Sequence, residues 1–271
     1  MRLASPTARP TRRRDLAWQS FLGFSILTYF AALPSAALPE LANDCGSVGD
    51  LIGEARCIMS LGDIALARSD YDAASKAYSD AGPRLERAGD LDRAAICIVR
   101  LGKIALIRSD HADARKFYEK ALVLFRQVGH LPGQASCFKG FGDIELGVYP
   151  LKAREAYSNA LLLFRQCDDI QGEAGCVKRL SDISLALFDL DAARRTYQEA
   201  LSLYKQTGDL QGEASCLMGL GDVAVRCHDH GRARTVYEKA LLLYQKINDV
   251  TGQAACAQRL AFWQKTPDVD T

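Results

Sequence analysis

One segment recurs along this chain at intervals of about 40 residues, and that recurrence limits the fold more than any other feature of the sequence. Aligned copies begin at Gly49, Gly89, Gly129, Asp168, Gly208 and Asn248. The first five open GDLIGEARCIMSLGDIAL, GDLDRAAICIVRLGKIAL, GHLPGQASCFKGFGDIEL, DDIQGEAGCVKRLSDISL and GDLQGEASCLMGLGDVAV, while the sixth, NDVTGQAACAQRLAFW, is half a unit. Each complete unit continues into a second segment such as DARKFYEKALVLFRQV or RARTVYEKALLLYQKI. A unit this small cannot bury its apolar faces alone, so stacked neighbours must supply the core.

Each unit reads as two helices. In the fifth, Ala214, Leu217, Leu220, Gly221 and Ala224 form one helical stripe, and Ala233, Tyr237, Ala240, Leu241 and Tyr244 form another. Short turns (RSDY, RSDH, LFDL, CHDH) separate the two. The Gly, Asp or Asn between units tolerates the left-handed conformation that ends many helices. Asp50, Asp90, Asp169, Asp209 and Asp249, which follow, are suited to cap the next helix. Gly62, Gly102, Gly142 and Gly221 sit inside first helices, where Gly costs about 0.5–1 kcal/mol against Ala. Close packing on Ala74, Ala114, Ala153, Ala193 and Ala233 of the second helices is the expected compensation. The third unit is one residue short around Pro150, which predicts a shorter turn and a local kink.

Leu220, Gly221, Ala233, Tyr237 and Ala240 follow a spacing similar to the tetratricopeptide signature, and the match extends over residues 49–263. The long period resembles the arrays of kinesin light chains, cell-polarity adaptors and MalT-like or STAND signalling proteins. The family's bulky Trp is replaced here by Ile58, Ile98, Phe138, Val177 or Leu217. The resemblance implies an all-α fold: a right-handed α-solenoid of tandem antiparallel helical hairpins. Its units are 49–88, 89–128, 129–167, 168–207, 208–247 and the half-unit 248–263, flanked by a non-repeating segment 1–48 and a polar tail 264–271.

The resemblance also implies a binding function: a scaffold whose concave groove, lined by first helices, holds a peptide or helix of a partner protein. Two equivalent positions per repeat fall on that surface. One carries Asp63, Lys103, Asp143, Asp182 and Asp222; the other, four residues earlier, carries Met59, Val99, Lys139, Lys178 and Met218, with Gln258 in the half-unit. A spacing of four independently puts both on one helix face. The Asp row favours a partner with basic or N–H donors, and Lys139 and Lys178 would receive an acidic residue. Replacing Asp143, Asp182 and Asp222 by Ala is therefore expected to weaken binding and leave stability nearly unchanged. The alternative is a ligand-sensing array that controls a partner NTPase.

Other functions lack a sequence basis. A net charge of +1 is unlike a nucleic-acid binder. No GxSxG, HExxH or phosphate-binding glycine loop is present, so neither an enzyme nor a cofactor is expected. Cys227, His228 and His230 share one turn but have no fourth ligand at readable spacing, so no metal is expected either. Arg115, Arg154, Arg194 and Arg234 form a stripe on the second helices that reads as a solvated face. Six of the nine cysteines (Cys57, Cys97, Cys137, Cys176, Cys216 and Cys256) recur once per unit and are expected to be buried, reduced thiols. Reduced thiols favour a cytoplasmic location. Residues 16–38, an uncharged run after five arginines, keep other readings open: secretory signal, membrane anchor, mitochondrial presequence or degenerate first hairpin.

Overall fold

A computed structural model of the chain describes residues 51–264, with side chains described through Ala261. The readings made of residues 1–50, including the cap Asp50, and of the tail beyond Gln264 lie outside the described residues. The chain divides into two compact units at Asp90. The first contributes one hairpin, α1 (Leu51–Ala67) and α2 (Tyr71–Arg87). The second contributes α3 (Leu91–Ile107), α4 (His111–Gln127), α5 (Leu131–Glu145), α6 (Pro150–Gln166), α7 (Ile170–Ala186), α8 (Leu190–Thr207), α9 (Leu210–Arg226), α10 (His230–Lys246) and α11 (Val250–Gln264). Among the described residues there is no strand, and none of these helices is long and apolar enough to cross a membrane. Within the second unit each odd-numbered helix packs on the even-numbered helix that follows it, and each even-numbered helix packs on the next odd one. This is an all-α solenoid of hairpins.

The turns follow one recipe. A residue in left-handed conformation ends the helix: Gly129, Asp168, Gly208 and Asn248 between hairpins, and Ser69, Ser109, Phe188 and His228 within them. The Asp after it serves both neighbours. Asp209 N–H donates back to Tyr204 carbonyl oxygen (3.0 Å), closing α8, while its Oδ1 accepts from Gly212 N–H (2.9 Å), opening α9. Asp70, Asp110, Asp169, Asp189, Asp229 and Asp249 cap in the same way. Helix α5 departs from the recipe: His130 precedes it without a side-chain cap. The shortening of that hairpin falls in the helix, not in the turn. Helix α5 has 15 residues where its counterparts have 17, and four residues, 146–149, connect it to Pro150 at the start of α6.

The expected glycine-to-alanine contact is replaced by a different one. A Cβ at Gly62, Gly102 or Gly142 would lie 2.8, 3.1 or 2.8 Å from the ring of Tyr78, Tyr118 or Tyr157, and one at Gly221 would overlap the ring of Tyr237. The missing side chain makes room for the tyrosine four residues beyond the alanine. In the fourth hairpin this place is taken by Ser181, fully buried and bonded to Val177 carbonyl oxygen (2.8 Å). Within the second unit a second aromatic, seven residues on, links each complete hairpin to the next. Phe125, Phe164, Tyr204 and Tyr244 occupy the space that a side chain at Gly133, Gly172, Gly212 and Gly252 would need. Burying one large side chain contributes about 1.5–3 kcal/mol, which exceeds the helix cost of the glycine opposite it.

The thiols complete the core. Cys97, Cys137, Cys176, Cys216 and Cys256 are fully buried, Cys57 is half-buried, and none of the eight described cysteines is in a disulfide. Desolvation pushes Cys137, Cys176 and Cys216 up to about 12 from the ordinary 9.0. It likewise raises Tyr157, Tyr197 and Tyr237.

Two outcomes follow. Gly221→Ala should cost about 1–3 kcal/mol through overpacking, read as a lower urea midpoint. Gly231→Ala, where a Cβ meets open space in α10, should leave the midpoint unchanged or slightly raised. Stability should also fall in alkali. Above pH 9 the unfolded chain loses thiol and then phenol protons that the fold retains, so it binds fewer protons and the slope with pH is negative. The melting temperature should hold between about pH 7 and 8.5, then decline progressively from about pH 9 to pH 12, the range between the ordinary and raised thiol values.

Candidate partner-binding face

The Asp row has a structural role that its spacing does not reveal. In each hairpin that carries the residue, the tyrosine lodged on the glycine or serine donates its hydroxyl to that Asp. The distances are 2.7 Å for Tyr78 to Asp63, 2.6 Å for Tyr157 to Asp143, 2.7 Å for Tyr197 to Asp182 and 2.7 Å for Tyr237 to Asp222. Asp143, Asp182 and Asp222 are each about a third exposed, so one carboxylate oxygen is spent inside the hairpin while the group still borders the surface. In the second hairpin Lys103 replaces the acid, and Tyr118 instead meets Phe141 edge-on, with centroids 6.0 Å apart.

Two of these carboxylates are further occupied by arginines from the following hairpin. Arg259 holds Asp222 through two bonds, 2.9 and 3.3 Å. Arg179 lies between Asp143 (3.8 Å) and Asp182 (3.7 Å). The same column of the sequence reads Ser60, Arg100, Gly140, Arg179, Gly219, Arg259. Where it holds Gly140 or Gly219, the missing side chain admits the ring of Tyr118 or Tyr197 from the preceding hairpin. The close contacts between first helices fall at the same places, α3 with α5 and α7 with α9. Junctions in the second unit therefore alternate: a glycine junction brings first helices together, and an arginine junction bridges them by charge.

The position four residues earlier varies more. Lys178 pairs with Asp182 on its own helix (2.9 Å). Lys139, at the same spacing from Asp143, makes no ion pair; that carboxylate is engaged by Tyr157 and Arg179. Met218 is buried at 9% exposure, its sulfur 3.1 Å from Cys256 Sγ, and so belongs to the core. Met59 and Val99 are half-buried, and Gln258 is exposed. Lys103 is exposed, yet partial desolvation and then the like charges of Arg100 and Lys139 hold its ammonium below the ordinary lysine value, against the pull of Asp143. Sequence reasoning placed Lys103 and Lys139 on this face but missed Arg179 and Arg259, whose alternation with glycine was the available signal.

Several of the other candidates have local partners. Among the described residues no group of His, Cys, Asp and Glu is arranged to hold a metal, and Cys227 instead accepts from Arg194 (3.3 Å). The second-helix arginines are partly paired, Arg115 with Glu145 and Arg234 with Glu238 (3.0 Å). A cavity of about 380 Å³ bordered by Asp209 and Asp249 is lined by two carboxylates already committed to capping α9 and α11.

Residues 173–246 match the family profile described as tetratricopeptide repeat. This segment carries tetratricopeptide repeats. No curated protein matches it in sequence. Among solved structures it is similar to BtubC (BKLC) of P. vanneervenii, at 21% identity over 82% of this chain and 92% of that one, TM-score 0.66. It is also similar to a Signal Transduction ATPase with Numerous Domains with a tetratricopeptide repeat sensor, from Pyrococcus horikoshii. That match has 17% identity over 76% of this chain and 32% of that one, TM-score 0.66. A third is the Rap conjugation gene regulator of the plasmid pLS20 in complex with the Phr* peptide, at 16% identity over 82% and 61%, TM-score 0.66. The chain spans about a third of the ATPase's length and less than two thirds of the regulator's. At these identities the likeness shows the fold.

The tyrosine bonds revise the expected outcome of the triple Asp143, Asp182 and Asp222 to Ala change. A hydrogen bond to a charged acceptor contributes about 1.5–3 kcal/mol when buried, and part exposure reduces each here to roughly 1. Arg179 couples Asp143 to Asp182 while Asp222 stands apart, so the triple variant should lose about 2–4 kcal/mol and melt several degrees lower. The corresponding Asn variant, which keeps an acceptor, should lose clearly less. Equal melting temperatures for wild type and the Ala variant would remove the structural role.

Proposed function

We propose that the array is a docking scaffold whose first-helix face receives a segment of a partner protein. Tetratricopeptide repeats imply interaction with other proteins, and the Rap regulator of similar fold is solved with a peptide bound. The observation that carries the choice of face is the surplus of cations. Its acids are consumed by tyrosines and arginines, whereas Lys103 and Lys139 make no ion pair that the fold requires. Asp63, Asp143, Asp182, Asp222, Lys178, Gln258, Met59, Val99 and Met218 complete the positions assigned to this face. The acids act there chiefly by fixing the tyrosines beneath, and Met218 by packing. A sensor that controls a partner NTPase is the second reading, favoured by the likeness to the Pyrococcus horikoshii ATPase. It differs in the identity of the partner, which would itself bind nucleotide.

A photo-crosslinking amino acid placed at Lys103 and Gln258, and separately at the exposed Leu162 and Leu242 of the second helices, tests the choice of face. Crosslinks to one discrete protein are expected from the first pair only, and mass spectrometry of that protein separates scaffold from sensor. Crosslinks from Leu162 and Leu242 alone would move the binding surface to the second helices.

A further inference from the structure

In stacked hairpins the turns within each hairpin fall along one edge. In the second unit two neighbouring turns of that edge expose large apolar side chains. Between α5 and α6 they are Val148, Tyr149 and, at the start of α6, Leu151; between α7 and α8 they are Leu187 and Phe188. Phe188 sits in the left-handed region at φ 62°, where other hairpins place Ser69, Ser109 and His228. That conformation crowds the Cβ, and the ring gains little packing in exchange, since Phe188 is 73% exposed and Tyr149 54%. Each ring instead carries a cation. Lys152 Nζ stands 4.8 Å from the centre of the Tyr149 ring, and the Arg226 guanidinium stands 4.6 Å from that of Phe188. Arg226 comes from the end of α9 in the next hairpin and is fixed by its bond to Leu185 carbonyl oxygen (2.7 Å), so ring and cation are presented together. Two acids follow Phe188 and offset these charges: Asp189, which caps α8, and Asp191.

We propose that this edge, through the turn tips at Tyr149 and Phe188, binds the surface of a phospholipid bilayer. Scattered exposed apolar residues are ordinary on a folded protein. Here they are gathered in two adjoining turns, and one of them is held outward at a backbone cost. A ring with a cation on its face matches the layering of a bilayer surface. The rings, with Val148, Leu151 and Leu187, reach the boundary of the acyl chains, while Lys152 and Arg226 stay among the phosphates. A protein partner would need a separate pocket for each tip, whereas a bilayer receives both without a matching shape. The balance of Lys152 and Arg226 against Asp189 and Asp191 selects a zwitterionic lipid such as phosphatidylcholine. It also predicts binding that depends little on salt, unlike that of a polybasic patch. The turn edge is distinct from the first-helix face, so this inference does not depend on the docking reading.

The test uses the full chain with its two tryptophans, Trp18 and Trp263, replaced by Phe and with Phe188→Trp as reporter. Bromine on the acyl chains quenches an indole only at contact, so phosphatidylcholine vesicles are compared with their dibrominated counterpart. Emission should fall by at least a third with the brominated lipid, at low and high salt alike. With Leu242→Trp, on the exposed face of α10, as the reporter instead, it should not change. Adding Tyr149→Ser and Leu151→Ser should at least halve the quenching at position 188 with an unchanged circular dichroism spectrum and melting temperature. Phe188→Ser, which introduces the residue of the first two hairpins, should melt no lower than the wild type; a clearly lower value would make the ring structural and overturn the proposal. Absence of quenching at position 188 would overturn it, as would equal quenching at position 242, which would show general adsorption. Quenching that requires phosphatidylserine would show charge attraction and overturn the choice of lipid. A photo-crosslinker at position 188 that captures one discrete protein in a membrane-free extract would give the edge to a protein partner. The reporter senses contact at position 188 itself, so a chain tethered through residues 16–38 alone gives no signal there. None of these results bears on crosslinking from Lys103 and Gln258, so the turn edge can fail while the docking face stands.

Discussion

An aromatic ring resting where a side chain is absent is the contact on which four of the five described hairpins are organised, and the small Ser181 takes that place in the remaining one. The tyrosine of the second helix needs the bare backbone of the first, and that requirement sets how closely the two helices approach. Once the ring is in place its hydroxyl emerges at one point on the far side, and an aspartate one residue beyond the glycine receives it. The position of the acid is thus a consequence of the packing beneath it. A second ring seven residues on repeats the arrangement against the next hairpin, so the same physical device builds the unit and joins it to its neighbour.

Much of this was legible from spacing alone because it is local. The two-helix unit, the left-handed residue at the junction, the capping Asp and the buried thiol each depend on a few adjacent residues and recur in register. What the spacing hid depends on residues about fifteen apart whose side chains meet only after packing. Gly221 was expected against Ala233, but the alanine is too short to explain an empty position, and the ring of Tyr237 one turn further fills it. Asp222 was assigned to partner contact from its equivalent position in the repeat; Tyr237 and Arg259 engage it from other helices. The missing residue of the third hairpin lies in α5, since Pro150 starts α6 and the connection must lengthen to reach it.

These assignments change the electrostatic character of the first-helix face. Counted by residue type it is mixed, with a row of acids among a few lysines. Counted by groups whose hydrogen bonds are unspent, it is basic. The three solved structures named above share the fold at 21% identity or less, so their ligands do not transfer with the architecture. The sign of the surface here comes from how this chain disposes of its own carboxylates.

The alternation of glycine and arginine at the junctions gives the array a parity. Its translational unit is two hairpins, about eighty residues, even though each hairpin looks like a complete copy of the last. Removing one hairpin would set Asp143 opposite Gly219 in place of Arg179: an acid would lose its counterion and a glycine would face a ring position built for an arginine. Removing two would restore the order. Duplication and loss in an array of this kind would then keep its junctions intact only in even steps.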